Sequence, residues 1–188
     1  MAVRTVFFVG KPGAGKGTQA DLLSRASGWP VVSTSGGLRS LVSEGGAAGR
    51  KLGETMDAGL LTPYWLATYV YLKSIFSVPE DGGVIFDGTG RTLPEAKAVH
   101  DSVAWLERPF RIFHLNISDG EARTRIELRR EKEGRKDDAA IERRLEEYYA
   151  NTEQAIAFYR SAKILVELDG ERTPEAIASD VRRMLGLV

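Results

Sequence analysis

Gly10-Lys11-Pro12-Gly13-Ala14-Gly15-Lys16-Gly17-Thr18 stands between a short β-branched and aromatic run, Val3 to Val9, and a segment with helical spacing, Thr18 to Ala26. Few folds accept this order of strand, glycine-rich turn and helix. The glycines let the backbone turn with its N–H groups pointing inward, the helix start adds partial positive charge, and Lys16 adds a full one. Such a cradle suits a polyphosphate, whose charge meets donors already in place. The strict pattern ending in lysine and an immediate serine or threonine is not met, because Gly17 intervenes and the hydroxyl comes at Thr18. The loop alone leaves ATPases, GTPases, kinases and switch proteins open.

Further apolar runs at Val84 to Phe86, Phe110 to Leu115 and Ile164 to Leu168, with a shorter one at Val31-Val32, are separated by longer amphipathic stretches. Strands alternating with helices predict an α/β chain with a parallel sheet covered on both faces. Thr173 can cap a helix that opens on Pro174 and carries Ile177, Val181, Met184 and Leu185 as one apolar stripe. Two regions depart from the alternation. Leu38 to Ser77 holds consecutive helices, and Ala122 to Tyr159 is almost wholly helical with a break near Gly134. Both read as insertions into one sheet domain of 188 residues.

Composition removes several classes of function. Without cysteine there is no disulfide, thiol catalysis or cysteine-ligated zinc, and two distant histidines, His100 and His114, do not make a histidine metal cluster. The 26 basic residues match 26 acidic ones, which argues against a nucleic-acid-coating protein. No apolar run approaches the roughly 18 residues of a membrane span, and the strand pattern starting at Ala2 leaves no room for a secretory signal, so the expected location is cytoplasmic.

The shifted loop, ending in Thr18-Gln19, resembles that of nucleoside monophosphate kinases, especially the adenylate kinase family. Ser33 to Arg39 (STSGGLR) is similar to the family's STGDxxR, Met56 to Pro63 (MDAGLLTP) to MDAGxLVP, and Asp87 to Pro94 (DGTGRTLP) to DGFPRT. Arg125, Arg129, Arg135-Lys136-Asp137-Asp138 and Arg144-Leu145 resemble the family's lid and closing helix. The resemblance spans nearly the whole chain. It implies a P-loop NTPase-like three-layer fold with a five-stranded parallel sheet. The core would be 1–32, 78–128 and 139–188, with a helical monophosphate flap at 33–77 and a short lid at 129–138. It also implies reversible phosphoryl transfer from ATP to a monophosphate, AMP foremost, with magnesium, in a monomer.

Phosphoryl transfer needs positioning and a cluster of cations, and no covalent nucleophile. Arginine suits this, because its fork grips phosphate at two points and stays charged. Seven of the nine basic residues between Glu121 and Glu147 are arginines, against nine acids that could pair with them on a solvated helix. By resemblance, Lys16, Arg91, Arg129, Arg135 and Arg144 surround the transferred group, while Gly13, Ala14, Gly15, Lys16, Gly17, Thr18, Arg125 and Arg129 hold ATP. Thr34, Arg39, Thr62, Gly88, Arg91, Glu95, Arg135 and Arg144 would surround the acceptor. Asp87, closing an apolar run, would hold magnesium through water, with Thr18 as a weaker ligand. His114 reads as a packed strand residue and His100 as a solvated one.

Three positions depart from the family pattern: Gly36 replaces an acid, Thr89-Gly90 replaces Phe-Pro, and Glu95 replaces a glutamine. An ionised carboxylate can only accept, which would suit guanine's ring N–H and amino group. A kinase for GMP or a pyrimidine monophosphate, or a nucleotide-binding module with impaired catalysis, are therefore the alternatives.

Overall fold

Each apolar run becomes a strand, and the strands pair in parallel in one sheet because helices return the chain to the same edge each time. The computed structural model describes residues 2–133 and 140–187. In chain order the elements are β1 (Thr5–Gly10), α1 (Lys16–Ser27), β2 (Val31–Ser33), α2 (Thr34–Ser43), α3 (Gly46–Asp57) and α4 (Tyr64–Ile75). There follow β3 (Val84–Asp87), α5 (Leu93–Trp105), β4 (Phe110–Asn116), α6 (Asp119–Glu133), α7 (Ile141–Glu147), α8 (Glu153–Ser161), β5 (Leu165–Asp169) and α9 (Pro174–Leu185). A π-helical turn, Tyr148–Thr152, joins α7 to α8.

The strand order is β2-β3-β1-β4-β5. The chain leaves β1 for one side of the sheet and then crosses to the other, so loops diverge beyond the carboxyl ends of the central strands. That is where an open α/β sheet binds its ligand. Alternation along β1 divides the core. Val6 and Phe8 face Leu23 of α1 and Val181 of α9, whereas Phe7 and Val9 face Tyr71 of α4, Val99 of α5 and Ile156 of α8. A third cluster, Leu38, Leu52 and Val70, lies wholly within α2, α3 and α4.

Boundaries shift where backbone geometry overrides pattern. The first strand begins at Thr5 rather than Val3, where pairing with Val84 on one side and Phe110 on the other starts. The first helix begins at Lys16 rather than Thr18, because Gly15 in the left-handed region (φ 87°) caps it. On α9 the expected stripe is corrected at one position: Ile177, Val181 and Leu185 are buried but Met184 is 48% exposed. Ala178 joins the buried face, which rotates its centre away from Met184. Thr173 caps this helix through the Ala176 N–H, with Pro174 at its start, as expected. His114 is a packed strand residue, and His100 is half-buried, its ring edge-on to Phe158.

Phe86 of β3 stacks on Phe7 at 4.9 Å between ring centroids and meets Tyr71 edge-on at 5.2 Å. All three are fully buried. Phe86→Ala should therefore lower unfolding free energy by about 3–5 kcal/mol, read as a reduced urea midpoint at unchanged m-value.

Candidate active site

The glycine-rich loop is pressed between β4 and α6. At Gly13 (φ 78°) a side chain is excluded twice: L-residues disfavour that backbone, and a Cβ would stand 2.9 Å from the Ala122 carbonyl oxygen. Lys16, the first residue of α1, folds back so that its Nζ donates to the carbonyl oxygens of Gly10 at 2.9 Å and Lys11 at 2.8 Å. Burial is the main cause that pulls its pKa down to about 7. Repulsion from Arg91, Arg144 and Arg129 adds to it, and Asp87 opposes it. Residues distant in sequence thus converge on one ammonium.

Two cavities open around this point. One is lined by the loop from Pro12 to Gln19, by Asp87 at the end of β3, by Arg125 and Arg129 of α6, and by Gly170 and Arg172 in the turn after β5. The other is lined by Thr34, Leu38 and Arg39 of α2, by Thr62, and by Gly88 and Glu95. Lys16, Arg91 and Arg144 line both. A pair of phosphorylated ligands, one in each cavity, would bring their charged ends together across these three cations.

Comparison with known proteins agrees with this geometry. The family model described as adenylate kinase matches residues 8–164. The adenylate kinase of Leptospira biflexa is 33% identical over 97% of this chain and 100% of that protein, and that of Thermus thermophilus 34% identical over 98% of both. Human adenylate kinase isoenzyme 1 is 32% identical over 95% of this chain and 92% of its own. The chain belongs to the adenylate kinase family.

Within that family, this chain's site has its own details. Arg91 is fixed by its own turn: its Nε donates to the Gly88 carbonyl at 2.8 Å and its backbone N–H to Glu95 Oε2 at 2.9 Å. Glu95 is 5% exposed, and its other oxygen accepts the Thr92 hydroxyl at 3.1 Å. Thr92 in turn caps α5 by accepting the Glu95 N–H. Both carboxylate oxygens are therefore committed to the start of α5. Burial raises the Glu95 pKa, against the lowering effect of the hydrogen bonds from Arg91 and Thr92.

The Thr89-Gly90 departure is structural. Gly90 lies in the left-handed region (φ 74°), which proline cannot enter, and the Tyr159 hydroxyl donates to its carbonyl at 3.2 Å, in the space a side chain would need. Thr89 and Thr34 share a buried hydroxyl–hydroxyl hydrogen bond of 2.7 Å. At Gly36 the N–H donates to Ser33, the cap of α2, at 3.2 Å.

Arg125 lines the loop-side cavity while paired with Glu121 at 2.6 Å. Arg130 and Arg143 are engaged with Glu127 and Glu146 on the helix surface. Arg135 and residues 134–138 of the expected lid lie outside the described residues. Sequence reasoning missed Ser35, Arg172 and the side chain of Lys11. The rule that ligands sit beyond the carboxyl ends of strands would have pointed to the turn after β5, and so to Arg172.

Among the described residues no group of three or more histidines and carboxylates is placed to hold a metal ion. Asp87 and Thr18 nonetheless line the same cavity, and Asp87 Oδ2 lies 3.5 Å from where a Cβ on Gly17 would stand. One carboxylate and one hydroxyl beside a phosphate cradle fit a hard cation that keeps most of its waters.

Lys16 supplies a pH test. Its folded pKa lies below that of a free lysine, so the empty fold gains stability as pH rises from about 7 towards 10.5. A polyanion in the cradle reverses the shift. Binding of inorganic tripolyphosphate at pH 8 should take up most of one proton more in the natural protein than in Lys16→Met, measured calorimetrically in buffers of different ionisation enthalpy.

Proposed function

We propose that this chain reversibly transfers the terminal phosphoryl group of ATP to a nucleoside monophosphate, AMP foremost, giving two ADP. The observation that carries the proposal is the sharing of Lys16, Arg91 and Arg144 by two cavities. One cavity begins at a phosphate cradle, and the other is walled by Leu38 and Leu61 with Arg39 at its side. ATP would lie along the loop with Arg125 beside its base, and the monophosphate between Arg39 and Arg91.

In-line transfer spreads charge over the oxygens of the migrating group. Lys16, Arg91, Arg129 and Arg144 would present donors to that charge from several sides. Lys16 reaches this position because two carbonyls hold its Nζ, and Arg91 because Gly88 and Glu95 fix its turn. An acceptor phosphate oxygen is the nucleophile, so the chain need supply none. Asp87, through water, and Thr18 would hold magnesium, which when bound neutralises part of the phosphate charge. Arg135 belongs to the same proposed set.

Residues 33–77 are read as the flap that closes over the monophosphate, and 129–138 as a short lid over ATP, within one kinase domain. Closure excludes water, which would otherwise accept the phosphoryl group. No helix among the described residues is long and apolar enough to cross a membrane. The enzyme is taken as a cytoplasmic monomer that binds neither zinc nor nucleic acid.

Glu95 lines the monophosphate cavity, and it motivates a second reading in which guanine is the base. Its oxygens already accept from Arg91 and Thr92, which leaves fewer lone pairs for a guanine edge and favours AMP. With saturating ATP, AMP should give the highest kcat/KM among AMP, GMP, CMP and UMP, measured as ADP formed in a coupled assay. Faster turnover of GMP would replace the adenylate reading. Arg91→Ala should lower kcat by roughly a hundredfold or more, whereas tight ATP binding without acceptor-dependent turnover in the natural protein would indicate a binding module.

A further inference from the structure

Lys11 sits in the phosphate loop but lines neither nucleotide cavity. Its side chain runs the opposite way and is 11% exposed. Nζ lies 2.6 Å from Oδ1 of Asp119, the first residue of α6, and 5.8 and 5.2 Å from the ring centroids of Tyr148 and Tyr149. The Tyr149 hydroxyl donates to the same Asp119 oxygen at 2.6 Å. On the other side of the residue, the Lys11 carbonyl accepts from Lys16 Nζ at 2.8 Å and from the Ala14 N–H at 3.2 Å.

These contacts tie together the three segments that bear the donor-side cations. The loop presents Lys16. The helix that Asp119 opens carries Arg125 and Arg129, and the π-helical turn holding Tyr148 and Tyr149 directly follows α7, which carries Arg144. We propose that Lys11 is a positioning residue, a staple whose ammonium holds the phosphate loop in register with the roots of both arginine-bearing helices. This rests on the reading that those cations act together on the transferred group.

The physical case lies in what one ammonium can do here. A charge-assisted hydrogen bond to Asp119 fixes distance and direction, and the faces of Tyr148 and Tyr149 flank the ammonium. A half-buried ion pair adds little net stability, since solvent screens Asp119 and desolvation of Lys11 offsets the attraction, so stability alone is a poor account of it. Geometry is a better one, because displacing a catalytic group by about 1 Å can cost about a hundredfold in rate. Loss of the staple would free the loop to shift, and Lys16 would shift with it.

The test compares Lys11→Met, Lys11→Arg, Asp119→Asn, the Lys11→Met/Asp119→Asn double variant and Tyr149→Phe with the natural enzyme. Lys11→Met is expected to lower kcat about tenfold while acceptor KM moves less than about twofold, because groups aligned for the transition state are misplaced while Arg39 and the α2 wall of the acceptor cavity lie outside the stapled segments. Lys11→Arg should recover at least half of kcat, and the double variant should be no slower than Lys11→Met. Natural kcat in Lys11→Met, equal loss in Lys11→Arg, or multiplying losses in the double variant would each overturn the staple.

Amide hydrogen exchange of the nucleotide-free protein gives a readout that needs no turnover. Exchange at the start of α6 and in the π-helical turn should quicken about tenfold in Lys11→Met, and unchanged protection there would refute the proposal. Should Lys11→Met not fold, Tyr149→Phe removes only the hydroxyl bracing Asp119, and the same two segments should still exchange faster; no change overturns the staple. If the natural enzyme transfers no phosphoryl group, the functional reading falls, and exchange alone decides the staple.

Discussion

Positive charge concentrated around one half-buried ammonium organises this molecule. Lys16 is held by two backbone carbonyls, desolvated, and repelled by Arg91, Arg144 and Arg129, so that its proton is held weakly near neutral pH. Such an arrangement is costly in an empty protein and favourable around an anion, because a polyphosphate supplies the compensating charge. The sheet makes the cost bearable. Its central strand is buried on both faces and delivers the loop to one point, against the ends of β3 and β4.

Much of this could be read before any coordinates. The strand–loop–helix order, the motif spacing and the arginine excess between Glu121 and Glu147 are one-dimensional signals of chemistry, and they place Lys16, Arg39, Arg91, Arg129 and Arg144 around the two cavities. What could not be read was the direction of side chains. Lys11 lies inside the glycine-rich loop and its sequence gives no role for its side chain, which points to Asp119. Glu95 reads as a base-recognising carboxylate and lines the acceptor-side cavity, yet both its oxygens also accept from Arg91 and Thr92 in the turn before its own helix. Met184 has the spacing of a buried stripe, and the inclusion of Ala178 turns that face away from it. For Lys11 a residue remote in sequence decided the outcome, and for Glu95 and Met184 a neighbour on the same segment did.

The departures from the family pattern form a connected set. Gly90 adopts a backbone that proline could not, and in doing so admits Tyr159 of α8 against its carbonyl. Beside it, Thr89 fills the place of an aromatic residue with a hydroxyl bonded to Thr34. One wall of the monophosphate cavity is thereby braced from α2 and α8 together. Glu95 then keeps the Arg91 turn rigid from within. Loss of the stiff proline is offset by three hydrogen bonds, so the arginine that faces both cavities remains fixed.

The two halves of the site are built with different mechanical character. On the ATP side, Lys11, Asp119, Tyr148 and Tyr149 link the loop to α6 and to the turn after α7. His114 adds to that platform. Burial lowers its pKa against the raising effect of Glu167, and its ring bridges Glu167, 2.6 Å from Nδ1, and the Tyr148 hydroxyl, 3.2 Å from Nε2. On the acceptor side, α2 and α3 pack through a cluster of their own, Leu38, Leu52 and Val70, and only α4 also enters the main core, through Tyr71 and Ile75. A body with its own small core, tied to the sheet by Tyr71 and Ile75 of α4 and by the Thr34–Thr89 hydrogen bond at the start of α2, can rotate without breaking its internal packing. Arg39 rides on that body and Lys16 does not. On the proposed reading, movement of that body would carry the acceptor's phosphate towards the loop and Lys16, the approach that in-line transfer between two nucleotides requires.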